Sequence, residues 1–235
     1  SINPNRKDLV HYIDNPTTNK MRSNLEEINT LLDRTWIDIE ISDKELIKLN
    51  QAMDREPDKS PIDFTRRKLR RIFNNSSFEH GGRFYHGWWQ EIPSTYRKYI
   101  TISGKLTEEE DFSGIHIRML YAFEGIELGS EDTYLIKGYG TKYRKQVKVA
   151  LNTIINAKTK KAAISSINKE LTLPKNTSAE DLFNQLKLKH PSIAKYFATG
   201  IGIELQYIDS QIAEKVMLRL SKDNIVALPI HDSFI

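Results

Sequence analysis

The stretch NIVALPIHDSFI (224–235) is an apolar run that ends in a polar dipeptide, the pattern of a buried strand. The other strand signal lies far upstream, in YRKYITISGKLTEEEDF (96–112), which reads as two short strands around a Ser-Gly-Lys turn. Helical patterns precede and separate the two. MRSNLEEINTLLDRTWIDIEIS (21–42) carries apolar residues at helical intervals, SDKELIKLNQAM (42–53) opens on a capping-box signature, and REPDKSP (55–61) breaks the pattern. Residues 1–76 therefore read as a small helical subdomain. GIHIRMLYAFEG (114–125), the stretch 143–171, SAEDLFNQLKLKH (178–190) with its capping box, and the long amphipathic IELQYIDSQIAEKVMLRLSK (203–222) read as further helices. Helices, a few strands, more helices and one late strand define the α+β class.

With 235 residues, 39% of them apolar, the chain can build a core. Its apolar runs are too short to cross a bilayer and its first residues lack the shape of a signal peptide, so a soluble, cytoplasmic protein is expected. The absence of cysteine excludes disulfides and thiolate metal sites, leaving oxygen or histidine for any metal. The formal charge of +4 permits a polyanionic partner without requiring one, and distribution matters more than the total. TRRKLRRIF (65–73) concentrates Arg66, Arg67, Arg70 and Arg71, read as a basic helix, and YRKQVKVALNTIINAKTKK (143–161) is a second basic run. Each alone also reads as a solvated helix face. Flanking the aromatic, Gly-rich GGRFYHGWWQEIP (81–93), the two together point to nucleic acid.

Two carboxylates, Asp111 and Asp232, each follow a strand-like segment. A pair held rigidly on neighbouring strands can hold two divalent ions for phosphoryl transfer, and the pair is expected to converge with carboxylates about 4 to 7 Å apart. Taken singly, each also reads as a turn residue. Arg144, Lys148, Asn152 and Asn156 are spaced four apart, which advances about 40° per step on an α-helix and makes one slanted polar stripe beside Val147, Leu151 and Ile154. Cations one turn apart can grip a triphosphate; a plain surface helix has the same look.

In order, the chain shows G-R-x-x with a following Q-x-I-P, then D-F-S-x-I-x-x-R, R-x-x-x-K, a helical Q-x(5)-I and H-D. No single motif is specific, but five in this order resemble the palm and fingers of family A DNA polymerases over residues 82–235. A weaker similarity is to the single-subunit phage RNA polymerases. The resemblance implies a palm with a small antiparallel sheet and helical fingers over 77–235, with residues 1–76 as a reduced thumb. It implies a template-directed DNA polymerase of phage or mobile-element type, with primer-template DNA and deoxynucleoside triphosphates as partners. Asp111 and Asp232 would then bind two Mg²⁺, or Mn²⁺ in their place. Arg83 would reach the primer-template minor groove, Gln90 and Pro93 would shape the same wall, His231 would contact the primer strand, and Gln206 the minor groove. Arg66, Arg67, Arg70 and Arg71 would add electrostatic binding of nucleic acid. Arg144 and Lys148 would bind the incoming triphosphate.

Several positions depart from the family pattern. Asn152 and Asn156 stand where an aromatic residue and a tyrosine are usual, which alters the stacking platform over the nascent base. Ser233 replaces a glutamate. His116 stands where DNA polymerases carry a bulky Glu that excludes the ribose 2′-OH and phage RNA polymerases carry Gly, so it favours deoxynucleotides. Trp88 and Trp89 have no counterpart and read as core. The family implies a return strand after Asp232, so a chain cut short is expected there. An RNA-making, primase-like relative and a nucleic-acid-binding remnant are the alternatives.

Overall fold

A computed structural model describes residues 9–54 and 62–235. The expected break at 55–61 lies outside the described residues. In chain order the elements are α1 (Pro16–Arg34), β1 (Ile37–Ile39), α2 (Asp43–Asp54), β2 (Arg70–Asn74), β3 (Ser77–Tyr85), α3 (Ser94–Arg97), β4 (Ile100–Ile102), β5 (Lys105–Leu106) and β6 (Glu110–Asp111). There follow α4 (Ile115–Phe123), α5 (Arg144–Asn156), α6 (Lys160–Glu170), α7 (Ala179–Lys189), α8 (Gly202–Ser221), β7 (Pro229–Ile230) and β8 (Ser233–Phe234). About half of the chain is helical and the sheets are small and antiparallel, an α+β protein. Among the described residues no helix is long and apolar enough to cross a membrane.

Local chemistry explains the helix starts. Asn15 accepts from the Thr18 N–H at 3.0 Å while Thr18 Oγ1 accepts from the Asn15 N–H, and Pro16 occupies the first helical position of α1. Ser178 and Asp181 form the expected capping box of α7. The 143–171 stretch is two helices, because residues 157–159 leave the helix and Thr159 caps α6.

Contacts divide the chain into two compact units, 1–112 with 210–235, and 113–209. This division falls elsewhere than the 76/77 boundary expected from sequence. In the first unit, β1 pairs with β4 and β4 with β5, the latter through a two-residue loop. Ser103 and Gly104 in that loop both have positive φ, 52° and 74°, the geometry of a tight hairpin turn. The region 36–42 is thus strand and extended chain rather than helix. Ile37 and Ile39 alternate with acids, and β-branched residues at period two favour the pleat.

The basic run 65–73 is likewise not a helix: residues 65–69 are turn and irregular chain, and the strand begins at Arg70. Arg70–Asn74 pairs antiparallel with β3, and Asn75 and Ser76, at φ 54° and 53°, make the two-residue turn. Gly82 sits at a register shift in β3 with φ +75°, where a Cβ would meet the Phe73 ring at 2.8 Å and Ser210 Oγ at 3.0 Å. The core of this unit gathers Leu32, Leu49, Trp88, Trp89, Ile100 and Leu228, all nearly inaccessible. In the second unit α5, α6 and α7 pack pairwise, and Val147, Leu151 and Ile154 form the buried face of α5 as their spacing predicts.

Candidate active site

The run 224–235 is a hairpin rather than one strand. Ile230 pairs with Ser233, and Leu228 and Ile235 exchange backbone hydrogen bonds at 2.7 and 3.0 Å. His231 and Asp232 are left as the two-residue loop, with His231 at φ +52°. A return strand, Ser233–Phe234, therefore follows Asp232 within the chain.

β8 also pairs with β6. Asp111 lies opposite Ser233, Glu110 opposite Phe234, and the Phe112 N–H donates to the Asp232 carbonyl at 3.0 Å. Asp111, on β6, and Asp232, in the loop just before β8, are thus brought within one residue of register although 121 positions apart in sequence. Asp111 is exposed and Asp232 half-buried, so solvent and ligand can reach both.

The aromatic segment buttresses this hairpin. After β3, Gly87 lets the chain turn tightly into Trp88–Gln90, because a Cβ there would strike the Trp89 ring at 2.3 Å. Trp89 Nε1 donates to the Pro229 carbonyl at 3.2 Å, and Gln90 Nε2 donates to the same oxygen at 2.8 Å and to the Phe84 carbonyl at 2.9 Å. Gln90 Oε1 accepts from the Gly87 N–H at 3.2 Å. The amide expected on a nucleic-acid wall is thereby committed to holding β7, and Trp88 and Trp89 are core as expected.

Around the loop, Tyr85 meets the His231 ring edge-on at 6.3 Å. The His231 imidazole is held below the usual histidine range, first by loss of hydration and then by the charges of Arg83 and Arg97, with the Asp232 carboxylate opposing them. Arg97 is held near the loop through its pair with Glu109, which also accepts from Ser233.

Glu109 and Arg97, paired at this site, carried no sequence signal. Glu109 accepts from Arg97 Nη1 at 3.0 Å and from Ser233 Oγ at 2.7 Å, so a carboxylate stands against the residue that follows Asp232. Inside an EEED run it reads as one of several solvated acids. Among the described residues no group of three or more His, Asp or Glu gathers in metal-binding reach. The donors available are Asp111 and Asp232, hard oxygen ligands that suit Mg²⁺, which takes few carboxylates and completes its shell with water and substrate phosphate.

The clustered arginines have different fates. Arg71 is buried, with 3% of its side chain exposed; it pairs with Glu214 at 3.1 Å, donates to Ser210 Oγ and the Gly82 carbonyl, and lies over the Phe73 and Phe84 rings. Arg66 forms a two-pronged pair with Glu91, and Arg67 donates to the Thr35 carbonyl at 3.1 Å. Arg70 alone of the four is exposed. Alternation along β2 explains the contrast between Arg70 and Arg71, since successive side chains point to opposite faces.

In the second unit, His116 is half-buried in the first turn of α4 and Gln206 half-buried on α8. Arg144, Asn152 and Asn156 are exposed along α5 and Lys148 is half-buried, so the polar stripe forms as its spacing predicts. Arg144 heads the stripe beside a pocket of about 240 Å³. The structure thus groups Asp111, Asp232, His231, Arg83 and Gln90 in one unit, and Arg144, Lys148, Asn152, His116 and Gln206 in the other. No protein-family model, curated protein or solved structure matches the chain.

Proposed function

We propose that the chain is a template-directed nucleotidyltransferase, a DNA polymerase of the family A type whose sheet β6-β8-β7 is the palm and whose α5 belongs to the fingers. The observation that carries the reading is the pairing of β6 with β8, which sets Asp111 beside Asp232 although nothing local in the sequence requires it. Ordinary turn acids have no reason to meet in this way. In support, GGRFYHGWWQEIP holds the Asp232 hairpin in place, and Arg83 lies near its loop.

In this reading Asp111 and Asp232 present carboxylate oxygens to two Mg²⁺, and Mn²⁺ can replace them. The bound ions supply charge stabilisation for in-line phosphoryl transfer. Trp89 and Gln90 keep the Asp232 loop from shifting, Arg83 contacts the DNA backbone or minor groove, and Arg144 with Lys148 binds the triphosphate. The test is incorporation of dNTPs and rNTPs on a primed template with and without Mg²⁺. Metal-dependent dNTP addition supports the reading. Preference for rNTPs would favour the primase-like relative, and DNA binding without incorporation would favour the remnant.

Two expectations follow from particular residues. Binding to duplex DNA weakens with salt by ~0.9 log units per tenfold salt for each phosphate neutralised. Arg70→Ala reduces that slope by about one, measured by fluorescence anisotropy at several salt concentrations. An unchanged slope removes Arg70 from the interface. His116→Gly shifts the dNTP to rNTP ratio of kcat/KM toward ribonucleotides by about tenfold or more while changing dNTP turnover little, because the hydroxyl no longer meets a side chain. An unchanged ratio rejects His116 as the sugar gate.

A further inference from the structure

A pocket in the second unit is walled by the start of α4, the segment 128–134 and the first residue of α5. Within it Asp132 Oδ2 accepts from Arg144 Nε at 2.5 Å while Asp132 Oδ1 accepts from the Tyr134 N–H at 2.9 Å. The Arg144 guanidinium lies over the Tyr134 ring at 5.1 Å, and the Lys148 ammonium, one turn on, lies 5.9 Å from the same ring. Arg118 lines the pocket too, its Nε donating to the Ser113 carbonyl at 3.1 Å. Gly114, at φ +66°, lets the chain pass against the Tyr134 hydroxyl, which a Cβ would approach to 3.0 Å.

The charge arrangement is costly without an anion. A helix N-terminus carries partial positive charge and favours acids in its first turn. α5 has no acid there and no side-chain cap, and it opens on Arg144 and Lys145 with Lys148 one turn on. Asp132 supplies the missing anion from outside the helix. The hydrogen bond from Arg144 is the largest influence holding its carboxyl below the usual range. Yet the pair is solvent-accessible, with 45% and 29% of the side chains exposed, and such pairs hold weakly. A phosphate brings more charge and three strong acceptor oxygens to the same guanidinium.

We propose that Asp132 holds the place of a substrate phosphate on Arg144 and is displaced when a polyphosphate chain enters this pocket. The inference deepens the nucleotidyltransferase reading, on which it rests for the identity of the polyphosphate. Asp132 is then an internal competitor that sets nucleotide affinity.

The experiment is calorimetric titration of the full chain with inorganic tripolyphosphate at low salt. Asp132→Asn removes the charge but keeps an oxygen for the Tyr134 N–H, and should tighten binding about fivefold, equivalent to ~1 kcal/mol. Asp132→Ser retains a hydroxyl acceptor for that N–H and provides the same test if the Asn variant folds poorly. Glu131→Gln removes an equal charge from the same wall and should tighten binding less than about 1.5-fold, because Glu131 is largely exposed and pairs with Lys189 rather than Arg144. In an Arg144→Gln background Asp132→Asn should tighten binding no more than Glu131→Gln does, by less than about 1.5-fold. Equal gains from Glu131→Gln, a gain that survives Arg144→Gln undiminished, or unchanged binding by both Asp132 variants would overturn the proposal. Tighter tripolyphosphate binding in a chain that incorporates no nucleotide would uphold this inference and reject the polymerase reading. Nucleotide incorporation with no Asp132 effect would do the reverse.

Discussion

Asp232→Asn and Asp111→Asn should each lower metal-dependent nucleotide incorporation by about 10³-fold or more while leaving the fold intact. Asp111 lies on β6 and Asp232 in the neighbouring hairpin loop, both at positions open to ligand. In two-ion phosphoryl transfer, loss of one ligand charge removes stabilisation where charge develops in the transition state. About 4 kcal/mol of lost stabilisation corresponds to 10³ in rate. The amide is nearly isosteric with the carboxylate, and an accessible acid changed in this way alters stability by ~0.5 kcal/mol or less. Single-turnover incorporation at saturating Mg²⁺, with DNA affinity and thermal midpoint measured alongside, separates chemistry from folding. Full activity in either variant refutes the role of that carboxylate. Loss in only one leaves a site built on a single aspartate, which the two-ion reading does not permit.

What could be read from the residues was what short spacing encodes. The Ser103-Gly104 turn, the Ser178 capping box and the apolar face of α5 all rest on neighbours within a turn or a hairpin, and all form. Errors occurred where two periods fit the same residues. TRRKLRRIF has cations enough for a helix, but Ile72 and Phe73 with a Gly-rich partner strand favour pairing, and the alternation then buries Arg71 and exposes Arg70. The Ile37, Ile39 and Ile41 series was ambiguous in the same way.

Long-range choices were largely illegible. Arg71 finds Glu214 143 positions later, and this contact helps to tie α8 residues beyond 209 to the first unit, so no linker composition marks the boundary. Glu109 became visible only through Ser233, because its meaning depends on which strand lies alongside. For the candidate site, the two aspartates were nameable from motif order, whereas the hairpin that presents Asp232 and the clamp behind it required tertiary contacts.

That clamp carries the other large effect. Trp89→Ala should destabilise the first unit by ~3–5 kcal/mol, the usual cost of deleting a fully buried large aromatic and leaving a cavity. Trp89 is inaccessible, packs edge-on against Trp88 at 6.1 Å, and donates to the Pro229 carbonyl of the Asp232 hairpin. Trp89→Phe keeps much of the buried surface and loses the indole N–H, while Gln90 still donates to that carbonyl at 2.8 Å, so its cost should be smaller. Gln90→Leu removes the shorter of the two bonds and also releases the Phe84 carbonyl and the Gly87 N–H. It should lower incorporation more than Trp89→Phe does, because it loosens the loop that aims Asp232 and misplacement of a catalytic group is expensive in rate. Urea midpoints and single-turnover rates on the three variants give the comparison. If Gln90→Leu matches the parent chain in rate, the segment is a packing element alone and the geometry of Asp232 is fixed by its strands.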